Sequence, residues 1–150
     1  MLLLLLRIEG QRYGLEAARV LEVTPWVELA PVPQAEETVA GMFDYRGRAV
    51  PVIDLCRLVR GRTCAPCLST RIILLSYGSD AGQQQILGLL AEQVTETVKR
   101  DVQAQQQRSQ AVGAAPWLGD LIKDEEGLLQ LIDIEGLLPK AMQDRLFSAA

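Results

Sequence analysis

The sequence predicts an all-β fold built as two similar small barrels, and three observations predict it. Short apolar runs recur along the chain, separated by glycine, proline and acidic turn signals. A segment of the first half returns in the second: Tyr13–Val23 aligns without gaps on Leu87–Thr97, with the Gly, Leu, Ala, Val and Glu identical. A second pair, Val50–Leu55 and Leu129–Ile134, repeats Ile-Asp at the same place and keeps the other positions apolar except Pro51 and its counterpart Gln130. Two halves of about 70 residues thus carry the same strand and turn order, each closed by an Asp-capped helical turn.

The chain has 150 residues, which fits one domain or two small subdomains sharing a core. Neither half is large enough to bury a comfortable core alone, so the two halves are expected to share apolar surface. Composition is ordinary for a globular chain, with 49% apolar and 23% charged residues. The formal charge of −4 argues against a general nucleic-acid binder, which carries a basic excess. Histidine is absent. That excludes Ser-His and Cys-His catalysis, His-ligated metals and a phospho-accepting histidine in this chain.

The elements follow in order. Leu2–Glu9 opens with five leucines after Met1, a run too short to span a membrane and immediately followed by Arg7. It reads as a strand buried on both faces. No export signal is recognisable, so the expected location is the cytoplasm. A tight turn at Gly10-Gln11 leads to strands Arg12–Glu16 and Val20–Val27. Pro31, Pro33, Glu36 and Glu37 suggest a short helix that starts at Pro33 and is ended by Gly41. Arg48–Asp54 is a strand, and Asp54 caps a helical turn over Leu55–Val59. Gly61–Ser69 is a loop. Arg71–Tyr77 and Gln85–Leu90 form a hairpin around the turn Gly78–Gly82. Gln93–Lys99 alternates like a strand. Gln103–Gln110 is polar without apolar periodicity and reads as a mobile loop. Leu128–Ile132 is the last strand, and Pro139–Phe147 a terminal helix.

Candidate chemistry is sparse. Cys64-Ala-Pro-Cys67 is a CxxC, but it lies in a loop between strands, without the βαβ context of a redox motif. A zinc site needs two more ligands, and only Cys56 is near in sequence. No metal or other cofactor is expected. The acidic groups Glu36-Glu37 and Asp124-Glu125-Glu126 fit helix starts and turns better than acid–base pairs. Scattered glycines make no phosphate loop. One stretch remains, Gly41-Met-Phe-Asp-Tyr-Arg46-Gly47, where Arg46 precedes a turn that feeds a buried strand. Such an arginine is ordinarily just solvated. Held beside a rigid barrel, however, a planar fork of donors suits a partner's carboxylate.

Together these residues resemble the CheW-like chemosensory coupling proteins. The resemblance lies in Val32-Pro33, Val39-Ala-Gly41, Tyr45-Arg46-Gly47 and Val50-Pro-Val-Ile-Asp54-Leu55, with Arg12-Tyr-Gly-Leu15 and Val20-Leu-Glu22-Val23 before them. Ile86-Leu-Gly-Leu89, Val94, Gly127–Asp133 and Leu137-Leu138 extend it over nearly the whole chain. It implies one domain over 1–150 made of two interlocked five-stranded SH3-like barrels with short helices. One barrel would take roughly 12–69 plus the chain ends, the other 70–138. It also implies a scaffold without enzyme activity, linking the signalling tip of a methyl-accepting chemoreceptor to the regulatory domain of a CheA-type histidine kinase. By matching positions, Val20, Glu22, Gly41 and Arg46 would meet the receptor in a groove between the barrels. The kinase would use an edge of the first barrel, with Val39 and Met42 as apolar anchors. Neither nucleic acid nor membrane insertion is expected, but association with membrane receptor arrays is. The leucine-rich first strand, the cysteine loop and the Gln-rich loop depart from the family pattern. They leave room for a pathway other than flagellar chemotaxis. Three rival readings stand beside this one: a kinase-binding competitor or structural subunit without receptor coupling, a thiol redox protein using Cys64 and Cys67, and a peptide-binding tandem SH3-like module outside signalling, against which the 5% aromatic content speaks.

Overall fold

A computed structural model describes residues 1–78, 85–99, 106–107 and 115–147. Its strands are β1 (Leu2–Ile8), β2 (Gln11–Glu16), β3 (Val20–Pro25), β4 (Val39–Tyr45), β5 (Arg48–Asp54), β6 (Arg71–Tyr77) and β7 (Gln85–Ala91). They continue with β8 (Glu96–Lys99), β9 (Gln106–Gln107), β10 (Leu118–Asp124) and β11 (Gly127–Ile132). Among the described residues there are also two helices, α1 (Leu55–Arg60) and α2 (Lys140–Phe147), and two 3-10 turns (Ala17–Arg19 and Ile134–Gly136). The all-β expectation holds. One sheet runs β8-β1-β2-β11-β10-β9 and the other β3-β6-β7-β5-β4. They interlock because β3 leaves β2 to pair with β6, and β8 leaves β7 to pair with β1.

The repeat seen in the sequence has a structural cause. β2 lies parallel to β11 with Gly14 opposite Leu131, and β7 lies parallel to β5 with Gly88 opposite Val52. A Cβ on Gly14 would stand 3.1 Å from Leu131 Cδ2, and one on Gly88 2.8 Å from Val52 Cγ2. Each repeated glycine therefore makes room for the repeated apolar residue of the parallel neighbour. The hairpin partners obey the same symmetry, since Leu5 faces Gly14 and Leu74 faces Gly88.

β1 shows why five leucines are tolerated. Leu4, Leu6 and Ile8 point into a core that also contains Ile53, Ile73, Leu75 and Leu89 of the other sheet. Leu3 and Leu5 point the opposite way, into a smaller cluster with Ile122 and Leu129. A strand covered on both faces reads as an unbroken apolar run. Each such leucine contributes on the order of 1.5–3 kcal/mol relative to exposure. Where the chain leaves this double layer, Leu2 is exposed.

Asp54 caps α1 as expected, accepting the Arg57 N–H at 3.1 Å, and Gly61 closes it in the left-handed conformation (φ 74°). Asp133 makes the equivalent cap on Glu135 N–H at 3.2 Å. α2 forms where the terminal helix was expected, and Phe147 stacks on Tyr77 with ring centroids 5.7 Å apart.

Three expectations need correction. No helix forms over 33–41: residues 33–38 are turns and irregular chain, and Gly41 lies inside β4. Leu118–Asp124, given no element from sequence, is β10. Its pairing shifts between Leu118 and Leu121, so Gly119 and Asp120 break the alternation that marks a strand. Within the Gln-rich segment, Gln106–Gln107 pairs with β10 as a short strand. The rest of Gln103–Gln110, like most of the Gly78–Gly82 turn, lies outside the described residues.

Candidate functional site

β4 and β5 are joined by a two-residue turn, Arg46-Gly47, with φ of 53° and 83°. Both residues are left-handed, the hairpin geometry that matches strand twist and favours glycine at its second position. Asp44 Oδ1 accepts the Gly47 N–H at 3.0 Å and fixes the turn. The backbone thus lifts the Arg46 side chain into solvent, where it is 76% exposed.

β3 and β4 are the two outer strands of their sheet, yet their side chains meet. Tyr45 on β4 donates its hydroxyl to Glu22 Oε2 on β3 at 2.7 Å. Arg46 Nη2 lies 3.7 Å from the same oxygen. The Arg46 guanidinium sits over the Tyr45 ring, 5.0 Å from its centroid, and Phe43 stacks on that ring from the strand side at 6.2 Å. The hydrogen bond to Glu22 is the main cause raising the Tyr45 phenol pKa, because losing the proton would leave two anions in contact. The seam where the sheet rolls toward closure therefore carries one carboxylate, one phenol and one guanidinium.

The residues anticipated for the receptor contact come together in part. Glu22 and Arg46 are neighbours across the seam. Val20 precedes Glu22 on β3, half-buried, with exposed Leu21 between them where the β3–β6 register shifts. Gly41 is buried, and a Cβ there would stand 2.6 Å from Ala30 O and 2.8 Å from Leu29 Cβ. It admits a segment of its own chain: Ala30 bridges to Met42 through N–H···O bonds of 3.0 and 2.7 Å. Gly41 is thus not a helix terminator, and its φ of 150° belongs to a bulged strand. Met42 is the β4 partner in that bridge, and Val39 stands three residues before it on the same strand. Val39 lines an open cleft of about 340 Å³ with Trp26, Leu29, Arg57 and Leu90. Met42 lines another of about 400 Å³ with Glu28, Phe43 and Ala49. Sequence reasoning missed Tyr45, whose role depends on the carboxylate that β3 places opposite it.

The cysteines pair differently from the CxxC. Cys56 in α1 is disulfide-bonded to Cys64, and Cys67 is a free, exposed thiol. Asp54 decides this, because its carboxylate caps α1 and also accepts the Cys64 N–H at 3.0 Å, drawing Cys64 onto Cys56. A redox role for a Cys64–Cys67 pair therefore has no formed pair to use. Hydrogen bonds from Ser69 and Thr70 hold the Cys67 thiol pKa below its ordinary value. Asp54, Cys56 and Cys64 also make the one cluster among the described residues with metal-ligand proximity. Its two sulfurs are spent on each other and its carboxylate on backbone N–H groups.

Next to this loop, Arg62 makes a bidentate pair with Glu92 at 3.0 and 3.1 Å and reaches Glu9 in the β1–β2 turn at 2.9 Å. Ala65 N–H donates to Glu92 at 2.7 Å. Arg62 foremost, then this N–H, hold the Glu92 pKa below the usual carboxylate range against its burial. A carboxylate depressed in the folded state stabilises the fold above its unfolded pKa. That stabilisation is lost as pH falls through the lower folded value. Glu92→Gln is thus expected to be less stable than wild type at neutral pH, with the gap narrowing on acidification through pH 4. Urea midpoints measured from pH 7 to pH 3 check this, and a pH-independent gap would count against it.

The described strands thus form two interlocked sheets with a charged seam on one rim. Among the described residues, no helix is long and apolar enough to cross a membrane. The model of the CheW-like domain matches residues 2–142, and the chain belongs to that family. It is similar to the chemotaxis protein CheW of Bacillus subtilis, at 25% identity over 89% of this chain and 83% of that one. CheW of Klebsiella aerogenes is 26% identical over 90% of this chain and 80% of its own length. The crystal structure of the scaffolding protein TtCheW from Thermoanaerobacter tengcongensis superposes with a TM-score of 0.77. That match covers 89% of this chain and 84% of that one at 21% identity, and shows the shared fold.

Proposed function

We propose that this chain is a non-catalytic scaffold that couples a methyl-accepting chemoreceptor to a CheA-type histidine kinase in a bacterial chemosensory pathway. The observation that carries the reading is the family match over residues 2–142. The seam supports it, because Arg46 offers donors to a partner's carboxylate while Glu22 is held beside it. In this reading the receptor tip packs on Val20 and takes its charge complement from Glu22 and Arg46. Gly41 supports that surface from below by admitting the Leu29–Ala30 segment. The kinase regulatory domain meets the β4 edge, with Val39 and Met42 as apolar contacts. Two weak interfaces used at once suffice for an array, since the second contact is made at high effective concentration. The protein then works in the cytoplasm beside membrane receptors.

Co-purification with the cognate kinase and with a receptor signalling fragment, singly and together, tests this. A ternary complex is the expected result. Binding to the kinase alone would favour a competitor or structural subunit, and binding to neither by folded protein would sink the coupling role.

A further inference from the structure

We infer that Tyr45 is a positioning residue of the receptor-binding site, holding Glu22 and Arg46 at a set spacing across the barrel seam before a partner arrives. The inference rests on the coupling reading above and names the residue that organises its charged contact.

Four observations carry it. β3 and β4 share no ladder among the described strands, so what joins them at this rim is made by side chains. The Tyr45 hydroxyl donates to Glu22 at 2.7 Å, a charge-assisted bond. The Tyr45 ring carries the Arg46 guanidinium on its face at 5.0 Å. Phe43 stacks on the same ring at an interplanar angle of 24°, so the ring is itself restrained. One side chain therefore touches both charged groups by two independent means, while those groups approach each other to only 3.7 Å.

Free glutamate and arginine side chains sample many rotamers, and ordering them on binding costs affinity. Arg46 is the more exposed of the two, and the aromatic face confines it to the side of the turn where Glu22 stands. A partner that presents a carboxylate to Arg46 and a basic group to Glu22 would then meet a preset pair. Removing the hydroxyl frees Glu22 and leaves the ring beneath Arg46. Removing the ring frees both.

Binding of the purified cognate receptor signalling fragment to full-length protein tests this, by calorimetry, with Tyr45→Phe, Tyr45→Leu, Glu22→Gln and the double variant Glu22→Gln/Tyr45→Phe. Tyr45→Phe is expected to weaken binding by about three- to tenfold, the size of releasing one or two rotamer-rich side chains, and Tyr45→Leu by more. In the Glu22→Gln background the added Tyr45→Phe change is expected to matter less than about twofold, because the bond it removes has lost its charged acceptor. Equal receptor affinity of wild type and Tyr45→Phe would overturn the inference alone. So would an equal loss in both backgrounds, which a generally structural tyrosine would give. Failure of folded wild type to bind the fragment would overturn the receptor reading and this inference with it.

Discussion

Arg46→Glu is expected to fold like wild type and to impair receptor-dependent control of the kinase. The side chain stands in solvent on a two-residue turn, and its ion pair with Glu22 is long and exposed. Such a pair contributes about 0–1 kcal/mol, so the melting temperature should hardly move. Binding is another matter. The substitution removes the donors offered to a partner, sets a second carboxylate beside Glu22, and changes the local charge by two units. The lost contact and the new repulsion together should exceed about 1.4 kcal/mol, or a tenfold weaker affinity for the receptor fragment. Raising the salt should narrow the difference, since exposed charges are screened. Kinase assays with receptor membranes, alongside direct binding, check this. Normal kinase stimulation by a folded Arg46→Glu protein would move the receptor contact away from the seam.

Asp124→Ala is expected to have the largest effect on stability. Arg12 on β2 reaches across β11 to Asp124 at the end of β10, with parallel N–H···O bonds of 2.8 and 2.5 Å. Both side chains are only 6% exposed. The bond to Asp124 foremost, opposed by burial, raises the arginine pKa. Asp124 also accepts the Glu126 N–H at 3.0 Å and shapes the β10–β11 turn. Removing the carboxylate leaves a buried guanidinium whose Nε has no hydrogen-bond partner and whose remaining anionic neighbour, Glu126 Oε2, is exposed and 3.9 Å away. The cost of such a broken buried pair is about 3–5 kcal/mol, a large share of a domain's whole stability. Arg12→Leu/Asp124→Leu should recover part of this, because the charge leaves together with its partner. Urea unfolding of the three proteins measures it. A loss under about 1 kcal/mol in the single variant would mean that water reaches the pair.

Much of the architecture was legible because it rests on local pattern. β6 and β7 are apolar runs of strand length that end at turn signals. Asp54 caps the following turn with its own side chain, and Asp133 does the same. The site was legible in part. Glu22 and Arg46 could be named from motif positions, but their contact joins residues 24 positions apart, one on β3 and one in the turn after β4, at opposite edges of one sheet. Tyr45 gave no signal of its own, because its role depends on what β3 places opposite it.

The sequence by itself determined most of the strand-and-turn order and the capped turns, which depend on neighbours within a few residues, and it displayed the internal repeat, whose cause is the long-range pairing of Gly14 with Leu131 and of Gly88 with Val52. Tertiary structure alone decided the rest. Gly41 became a buried strand residue rather than a helix end because Leu29 and Ala30 pack against it. Cys64 joined Cys56 rather than Cys67 because Asp54 binds both the helix start and the loop. β10 formed across a register shift because β11 supplied a partner where local alternation failed. In each case the deciding atom came from another part of the chain, and pairwise approach in space is not written in local periodicity.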